Sequence, residues 1–213
     1  DLIYLFDLFG TCIFAITGAV KGVRCRLDIL GVVVFAATVG TGGGMLRDML
    51  IGATPVAAFT NSWYIIFCVV VGLVVVFAAP KFVGHSRVIH AADNLGLGVF
   101  TAIGVAKGAL YGIGAVGQLL CGVFSAVGGG VVRDVLSRSV PTVLTGDFYA
   151  TASLIGGVAY LLLNLTPLGT LEKFLIVTFL VFFIRVVAIK YNFHLPVAST
   201  ALPVDDHLTM ERK

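Results

Sequence analysis

Two pairs of charged residues occur inside apolar stretches of the chain, and each pair follows three consecutive glycines. The two strings are Gly42, Gly43, Gly44, Met45, Leu46, Arg47, Asp48 and Gly128, Gly129, Gly130, Val131, Val132, Arg133, Asp134. An ionised side chain costs on the order of 3 kcal/mol at the centre of a helix in a membrane. These charges therefore need either lipid headgroups at a helix end or a water-filled path beside them.

Both explanations of the arginine-aspartate pairs stay open at the level of sequence. Near the end of an apolar helix, an arginine can extend its side chain to the headgroups. Alternatively the charges flank a polar path, with the arginine of one string paired to the aspartate of the other. Adjacent residues point about 100° apart on a helix, so we expect Arg47 and Asp48 to be poor partners for each other.

The glycine triplets predict a bent or opened backbone in two helices. Glycine gives a helix no side-chain support, and backbone opened within lipid is costly unless its freed groups are used. Thr41 and Ser125 lie just before the triplets and add hydroxyl oxygens. Such oxygens can replace part of an ion's hydration shell. The alternative is close helix packing, which spacings such as that of Gly18 and Gly22 indicate, but three glycines in a row exceed what packing requires.

Four further charges recur at the same distance as the strings. Asp7 matches Asp93 and Lys21 matches Lys107, each at an offset of 86 residues. The two aspartates lie near helix starts, where they either attract cations to a vestibule or favour the helix N-terminus. The two lysines end the same segments and either anchor them or tune conductance at a pore mouth.

These matches belong to an internal duplication. An ungapped offset of 86 aligns 14 identical residues between Asp7 and Pro55 and their counterparts, over 49 positions. A constant offset over such a length indicates a duplicated unit rather than chance composition.

The amino-acid composition indicates whether these segments fold in water or in lipid. Hydrophobic residues make up 59% of the chain, charged residues only 12%, and the mean hydropathy is +1.07. A soluble domain averages nearer a quarter charged residues. We therefore expect an all-α integral membrane protein, whose seven predicted spans are residues 2–20, 27–51, 62–79, 91–107, 115–136, 148–163 and 171–190.

The spans form one transmembrane domain over residues 1–190. Repeat A covers about 1–80 and repeat B about 87–165, an extra helix covers about 170–190, and residues 191–213 are predicted to be a flexible polar tail. With the N-terminus outside, eleven Lys and Arg residues fall on the cytoplasmic side and three opposite. Because each repeat has three spans, the second copy enters from the other face, which gives a three-plus-three inverted repeat with glycine-kinked second and fifth spans.

Several other chemistries find no support in the sequence. The four cysteines lack metal-binding spacing, and no nucleophile-base pairing or cofactor fingerprint is found. We expect no enzyme, no cofactor and no structural metal site. The net charge of +3 follows from the loop topology and does not indicate nucleic-acid binding.

The seven spans, the duplication and the glycine triplets in the second and fifth spans resemble the trimeric intracellular cation (TRIC) channels, and Gly-Gly-Gly-x-x-Arg-Asp in both halves resembles their prokaryotic branch. The resemblance implies a homotrimer in a prokaryotic plasma (inner) membrane. It also implies a pore in each protomer, lined by the two glycine-kinked helices. K⁺ is expected to pass through this pore and to bind transiently near the kinks, and Na⁺ is a second candidate ion.

Two alternatives to a channel remain. Inverted repeats are at least as typical of carriers, and the same family has been labelled as transporters of small neutral amino acids such as glycine. A non-conducting scaffold is the third hypothesis, and the polar residues beside the triplets speak against it.

Overall fold

The computed structural model of the protein describes residues 2–82, 86–145 and 148–193, and it describes the side chains of this part except those of residues 79–82 and 86–88. Within these residues the chain forms eight α-helices, one 3₁₀ turn (Thr142–Leu144) and no strand. The helices are α1 (Leu2–Arg24), α2 (Ile29–Leu50), α3 (Ala57–Thr60), α4 (Trp63–Phe82), α5 (Ser86–Leu110), α6 (Ala115–Leu136), α7 (Tyr149–Leu163) and α8 (Thr170–Lys190).

Each predicted span coincides with one helix, and α6 has the predicted bounds. Four described segments are long and apolar enough to cross a membrane, namely α1, α2, α6 and the part of α5 from Ile89 to Leu110. The α3 helix and the 3₁₀ turn were not predicted, because segments of three or four residues carry too little periodicity. Most of the predicted tail, residues 194–213, lies outside the described residues. The fold is that of an all-helical membrane protein.

The helices form two groups that meet along two contacts. In the first group α1 packs against α2 and α4, and in the second α5 packs against α6, α7 and α8. The groups join where α1 contacts α5 and where α2 contacts α6. Side chains of α5 supply much of the central core, including Leu97, Phe100 and Ile103.

The contact between α1 and α5 is reciprocal. Gly10 lies against the ring of Phe100, and its counterpart at the offset of 86, Gly96, lies against the ring of Phe14. The rings of Phe14 and Phe100 stack with centroids 5.0 Å apart. Residue numbers rise along one helix as they fall along the other, so α1 and α5 are antiparallel. Each contact maps onto the other when the repeats are exchanged.

The contact between α2 and α6 has the same reciprocity and is made by the glycine triplets. A Cβ atom at Gly43 would collide with the carbonyl oxygen of Ser125, and one at Gly129 would lie 2.8 Å from the carbonyl oxygen of Val39. One at Gly128 would lie 3.0 Å from the Cα atom of Gly43. The triplets therefore bring two helix backbones into direct contact.

The expectation of an opened backbone at the triplets is wrong, whereas the expectation of a bend in the two helices stays a prediction. Both α2 and α6 remain α-helical through all three glycines. The physical reason is that the crossing partner fills the space that the missing side chains leave, so the helical hydrogen bonds are shielded and retained. The glycines here serve close packing, which was the alternative explanation.

Candidate functional site

The arginine of the first string lies at the centre of a buried cluster. The Arg47 guanidinium donates two hydrogen bonds to the Asp7 carboxylate, at 3.2 and 2.9 Å, and its Nε donates to Asp48 Oδ1 at 2.8 Å. The Tyr64 hydroxyl donates to Asp7 Oδ2 at 3.1 Å. Arg47 is 0% exposed. We call Asp7, Arg47, Asp48 and Tyr64 the first ionic cluster.

A lysine from the second helix group closes the first ionic cluster. Lys107 at the end of α5 donates from Nζ to Asp48 Oδ1 over 2.7 Å. The other Asp48 oxygen accepts the backbone N–H of Ala57 at 3.1 Å. The cavity beside this cluster measures only about 10 Å³, which is no more than one water molecule requires. We call this end of the contact between the two helix groups sealed, because the cavity beside Asp48 holds at most one water molecule.

The second string builds the same arrangement. Arg133 donates to the Asp93 carboxylate through a terminal nitrogen and to Asp134 Oδ1 through Nε at 3.0 Å. Asp134 Oδ2 accepts the backbone N–H of Thr142 at 3.0 Å and the Thr142 hydroxyl at 2.9 Å. We call Asp93, Arg133 and Asp134 the second ionic cluster.

The surroundings of the second ionic cluster are open. A cavity of about 330 Å³ adjoins all three of its residues, which leaves room for several water molecules or a small solute. Lys21, the counterpart of Lys107, lines this cavity together with Arg24 and Arg185. Lys21 forms no ion pair within the part of the chain that the structure describes.

Sequence reasoning missed three residues around the clusters. Arg185 of α8 donates from Nε to Asn94 Oδ1 at 3.1 Å, and its guanidinium lies 4.9 Å from the centroid of the Tyr149 ring. Tyr64 and Tyr149 occupy comparable places beside the two clusters. They lie 85 residues apart, so an alignment of the repeats that allowed a one-residue gap would have found them. The sequence feature that could have identified Arg185 is its charge, which stands alone within the apolar part of α8.

The structure corrects the expected roles of the string charges. Pairing of arginine and aspartate between the strings is wrong, because each arginine pairs with aspartates of its own repeat. The expectation that Arg47 and Asp48 are poor partners is also wrong, since the long arginine side chain turns back to its neighbour through Nε. Arg47 is fully buried and does not extend to the surface, whereas Arg133 lines a cavity.

The matched aspartates and lysines have definite places. Asp7 and Asp93 lie beyond the first turn of their helices, so their partner is an arginine and not a helix N-terminus. Lys107 contacts the other repeat rather than only anchoring its own helix, whereas Lys21 faces a cavity. One lysine of the matched pair is therefore engaged and the other is not.

Some of the predicted glycines lie at the contact of α2 with α6, and others lie beside the ionic clusters. Gly42, Gly43, Gly128 and Gly129 lie at the contact of α2 with α6, whereas Gly44 faces Arg47 and Gly130 faces the Tyr149 hydroxyl. Thr41 donates its hydroxyl to the Ala37 carbonyl at 2.7 Å. The buried Ser125 hydroxyl has no hydrogen-bond partner among the described residues. Ser125 thus offers an unused oxygen beside the crossing.

Comparisons with known proteins identify relatives of this chain among membrane proteins. A family model described as "Glycine transporter" matches residues 4–80 and again residues 90–165, so its two matches begin 86 residues apart. A UPF0126 membrane protein of Vibrio cholerae serotype O1 is 36% identical over 92% of this chain and 82% of its own length. The UPF0126 inner membrane protein YadS of Escherichia coli K12 is 34% identical over 92% of this chain and 95% of its own. The solved structure of a TRIC trimeric intracellular cation channel orthologue from Rhodobacter sphaeroides superimposes with a TM-score of 0.84 at 31% identity, covering 90% of this chain and 99% of that one.

Proposed function

The chain belongs to the glycine transporter family of membrane proteins, and within it to the prokaryotic TRIC channels, and from this membership we propose that it is a monovalent cation channel with K⁺ as its main permeant ion. The resemblance drawn from the glycine strings is confirmed. Homologous TRIC channels are not enzymes, which supports a channel without catalytic activity. Na⁺ is the second candidate ion.

The pore of each protomer runs between α2 and α6 in this proposal. The observation that carries it is the pair of buried ionic clusters on either side of a backbone crossing made of glycines. Buried charges within membrane helices are costly and mark solute pathways. The cavity of about 330 Å³ that adjoins the second ionic cluster provides a water-accessible entrance.

Partial dehydration of the ion occurs at the crossing. The Ser125 hydroxyl, which has no partner among the described residues, is the oxygen available there. A bend of α2 and α6 at their glycine triplets accompanies opening, because the triplets tolerate a change of backbone direction that other residues resist. No Thr-Val-Gly-Tyr-Gly filter occurs in the sequence, so we expect modest selectivity among monovalent cations.

The architecture in this proposal has seven spans in a three-plus-three inverted repeat with α8 added. The reciprocal contacts between α1 and α5 and between α2 and α6 support it, as does the double match of the family model. The protein assembles as a homotrimer in the bilayer of a prokaryotic inner membrane, with the N-terminus outside and the C-terminus in the cytoplasm. The TRIC orthologue is trimeric by name, and YadS is an inner membrane protein.

Conductance of the purified protein in planar bilayers tests the channel. We expect discrete current steps in KCl and, under a salt gradient, a reversal potential shifted toward that of K⁺. Asp134→Asn should change the preference for cations over anions, because it removes a carboxylate beside the entrance. Glu172→Gln on the exposed start of α8 is the matched control, since it also neutralises one carboxylate and keeps an acceptor for the Gly169 N–H, and it should leave the reversal potential unchanged. A membrane without current steps would count against the channel.

A carrier of a small neutral amino acid such as glycine is the second candidate. Its supporting observation is that one end is sealed at Lys107 and Asp48 while the other holds a cavity lined by both acidic and basic groups, which suits a zwitterion. Saturable uptake of labelled glycine into vesicles, without current steps in bilayers, would establish the carrier and exclude the channel.

A further inference from the structure

We propose that Lys21 and Asp134 form an ion pair that alternates with the ion pair of Lys107 and Asp48, so that the two ends of the path close in turn. The proposal rests on a solute path between the two repeats, as proposed above, and adds how access to that path is controlled. The four residues form two matched pairs, because the offset of 86 relates Lys21 to Lys107 and Asp48 to Asp134.

Only one of the two equivalent pairs is formed. Lys107 is bonded to Asp48 at 2.7 Å, and the cavity that adjoins Asp48 measures only about 10 Å³. Lys21 and Asp134 face the same large cavity from α1 and α6, and neither forms an ion pair with the other in the described part of the chain. The structure thus shows one closed end and one open end built from the same residue types.

Asp134 has the capacity to accept the lysine. Asp48 Oδ1 already accepts two cations, since Arg47 Nε and Lys107 Nζ both donate to it. Asp134 Oδ1 accepts Arg133 Nε in the same way and lacks only the lysine. A carboxylate offers about four acceptor positions, so the added bond requires no existing bond to break.

The glycine crossing provides the pivot for an exchange. The backbones of α2 and α6 already touch at Gly43, Gly128 and Gly129, so they cannot approach further there. Asp48 follows Gly43 by five residues and Asp134 follows Gly129 by five, which places each carboxylate about 7.5 Å from the contact at 1.5 Å per residue. Because α2 and α6 are antiparallel, the two carboxylates lie on opposite sides of the contact. Rocking of one repeat against the other about this contact then separates one lysine-aspartate pair as it brings the other together.

The two end states are expected to lie close in energy. Breaking the pair at Lys107 loses a partly desolvated ion pair, and forming its counterpart at Lys21 restores one of the same kind. Packed interfaces of this type have discrete arrangements rather than a continuous range. A solute or a mutation that favours one arrangement then shifts the population.

Thiol accessibility in lipid nanodiscs, which expose both faces of the membrane, tests the exchange. In a background without the native cysteines, Ala58→Cys reports on the sealed cavity and Ile89→Cys on the large one. A membrane-impermeant thiol reagent should label position 89 quickly and position 58 slowly. Adding Lys107→Gln should speed labelling at 58 and slow labelling at 89, each by about tenfold.

The matched variant is Lys21→Gln, which removes the lysine of the unformed pair. It should leave position 89 rapidly labelled and position 58 protected, because the state with Lys107 engaged is then the only one with an ion pair. The conservative variant Lys107→Arg, which keeps a cationic donor for Asp48, should preserve slow labelling at 58, whereas misfolding caused by any change at position 107 would expose it.

Two outcomes overturn the proposal. If Lys107→Gln exposes position 58 without protecting position 89, the two ends open independently. If it alters neither rate while the protein stays monodisperse, the ion pair does not hold the end closed. The proposed function is judged separately from the current steps of the unmodified protein, so its failure and the failure of the exchange are distinguishable.

Discussion

The two ionic clusters contain the same residue types at matched positions, yet one is sealed and the other lies open. Arg47 is 0% exposed and holds Asp7 with two hydrogen bonds, whereas Arg133 is 8% exposed and holds Asp93 with one. The Gly-Gly-Gly-x-x-Arg-Asp pattern is common to both strings and does not account for the difference. The two clusters differ in that the lysine of the other repeat is bonded at the first cluster and lines an open cavity at the second.

This comparison distinguishes contacts within one repeat from contacts between the two repeats. Pairing inside each cluster follows from the local geometry of one repeat and is therefore duplicated. Closure of a cluster depends on contact between the repeats, where the reciprocal glycine crossing leaves two arrangements available. Two copies of one sequence motif can therefore lie in different environments within one chain.

The largest expected effect comes from removing the arginines. Arg47→Met should lower the free energy of unfolding by about 3–5 kcal/mol, because it leaves the buried Asp7 carboxylate without a cation and removes one of the two cations bonded to Asp48. Arg133→Met should cost less, since the adjacent cavity lets water solvate Asp93 and Asp134. Thermal unfolding in detergent measures both losses. Equal losses would show that the difference between the clusters has no energetic consequence.

A methyl group at the crossing is expected to have the next largest effect. Gly43→Ala should destabilise the protein by about 1–3 kcal/mol and reduce K⁺ current, because its Cβ would collide with the Ser125 carbonyl. Gly114→Ala is the matched control, since a Cβ there has no atom within 4 Å. Thermal unfolding and bilayer recordings of both variants test this, and a Gly43→Ala protein with parental stability and current would contradict the tight crossing.

The smallest expected effect distinguishes the two tyrosines. Tyr64→Phe should cost about 0.5–1.5 kcal/mol, because it removes the hydrogen bond to Asp7. Tyr149→Phe should cost less, because the Tyr149 hydroxyl faces Asp93 without a hydrogen bond of ordinary geometry among the described residues. The midpoints of thermal unfolding give the comparison. A larger loss for Tyr149→Phe would mean that this hydroxyl is bonded in the membrane.

The sequence by itself determined the class of protein, the helices and the duplication. Apolar segments fold as helices in lipid because the backbone must satisfy its own hydrogen bonds there, so composition alone places each helix within a few residues. The bounds of α6 and the match of Asp7 with Asp93 could be predicted from the sequence alone.

Only the tertiary structure decided what the glycines and charges do. The continuity of α2 through Gly42–Gly44 depends on a second helix filling the space beside it, and no local pattern reports which helix that is. The partner of Arg47 is Asp7, forty residues away, because α1 and α2 pack side by side. Which end is sealed depends on whether Lys107 or Lys21 meets an aspartate of the other repeat. The motif that the repeats share cannot specify that difference, because the contact of a lysine with an aspartate of the other repeat depends on how the repeats are placed against each other.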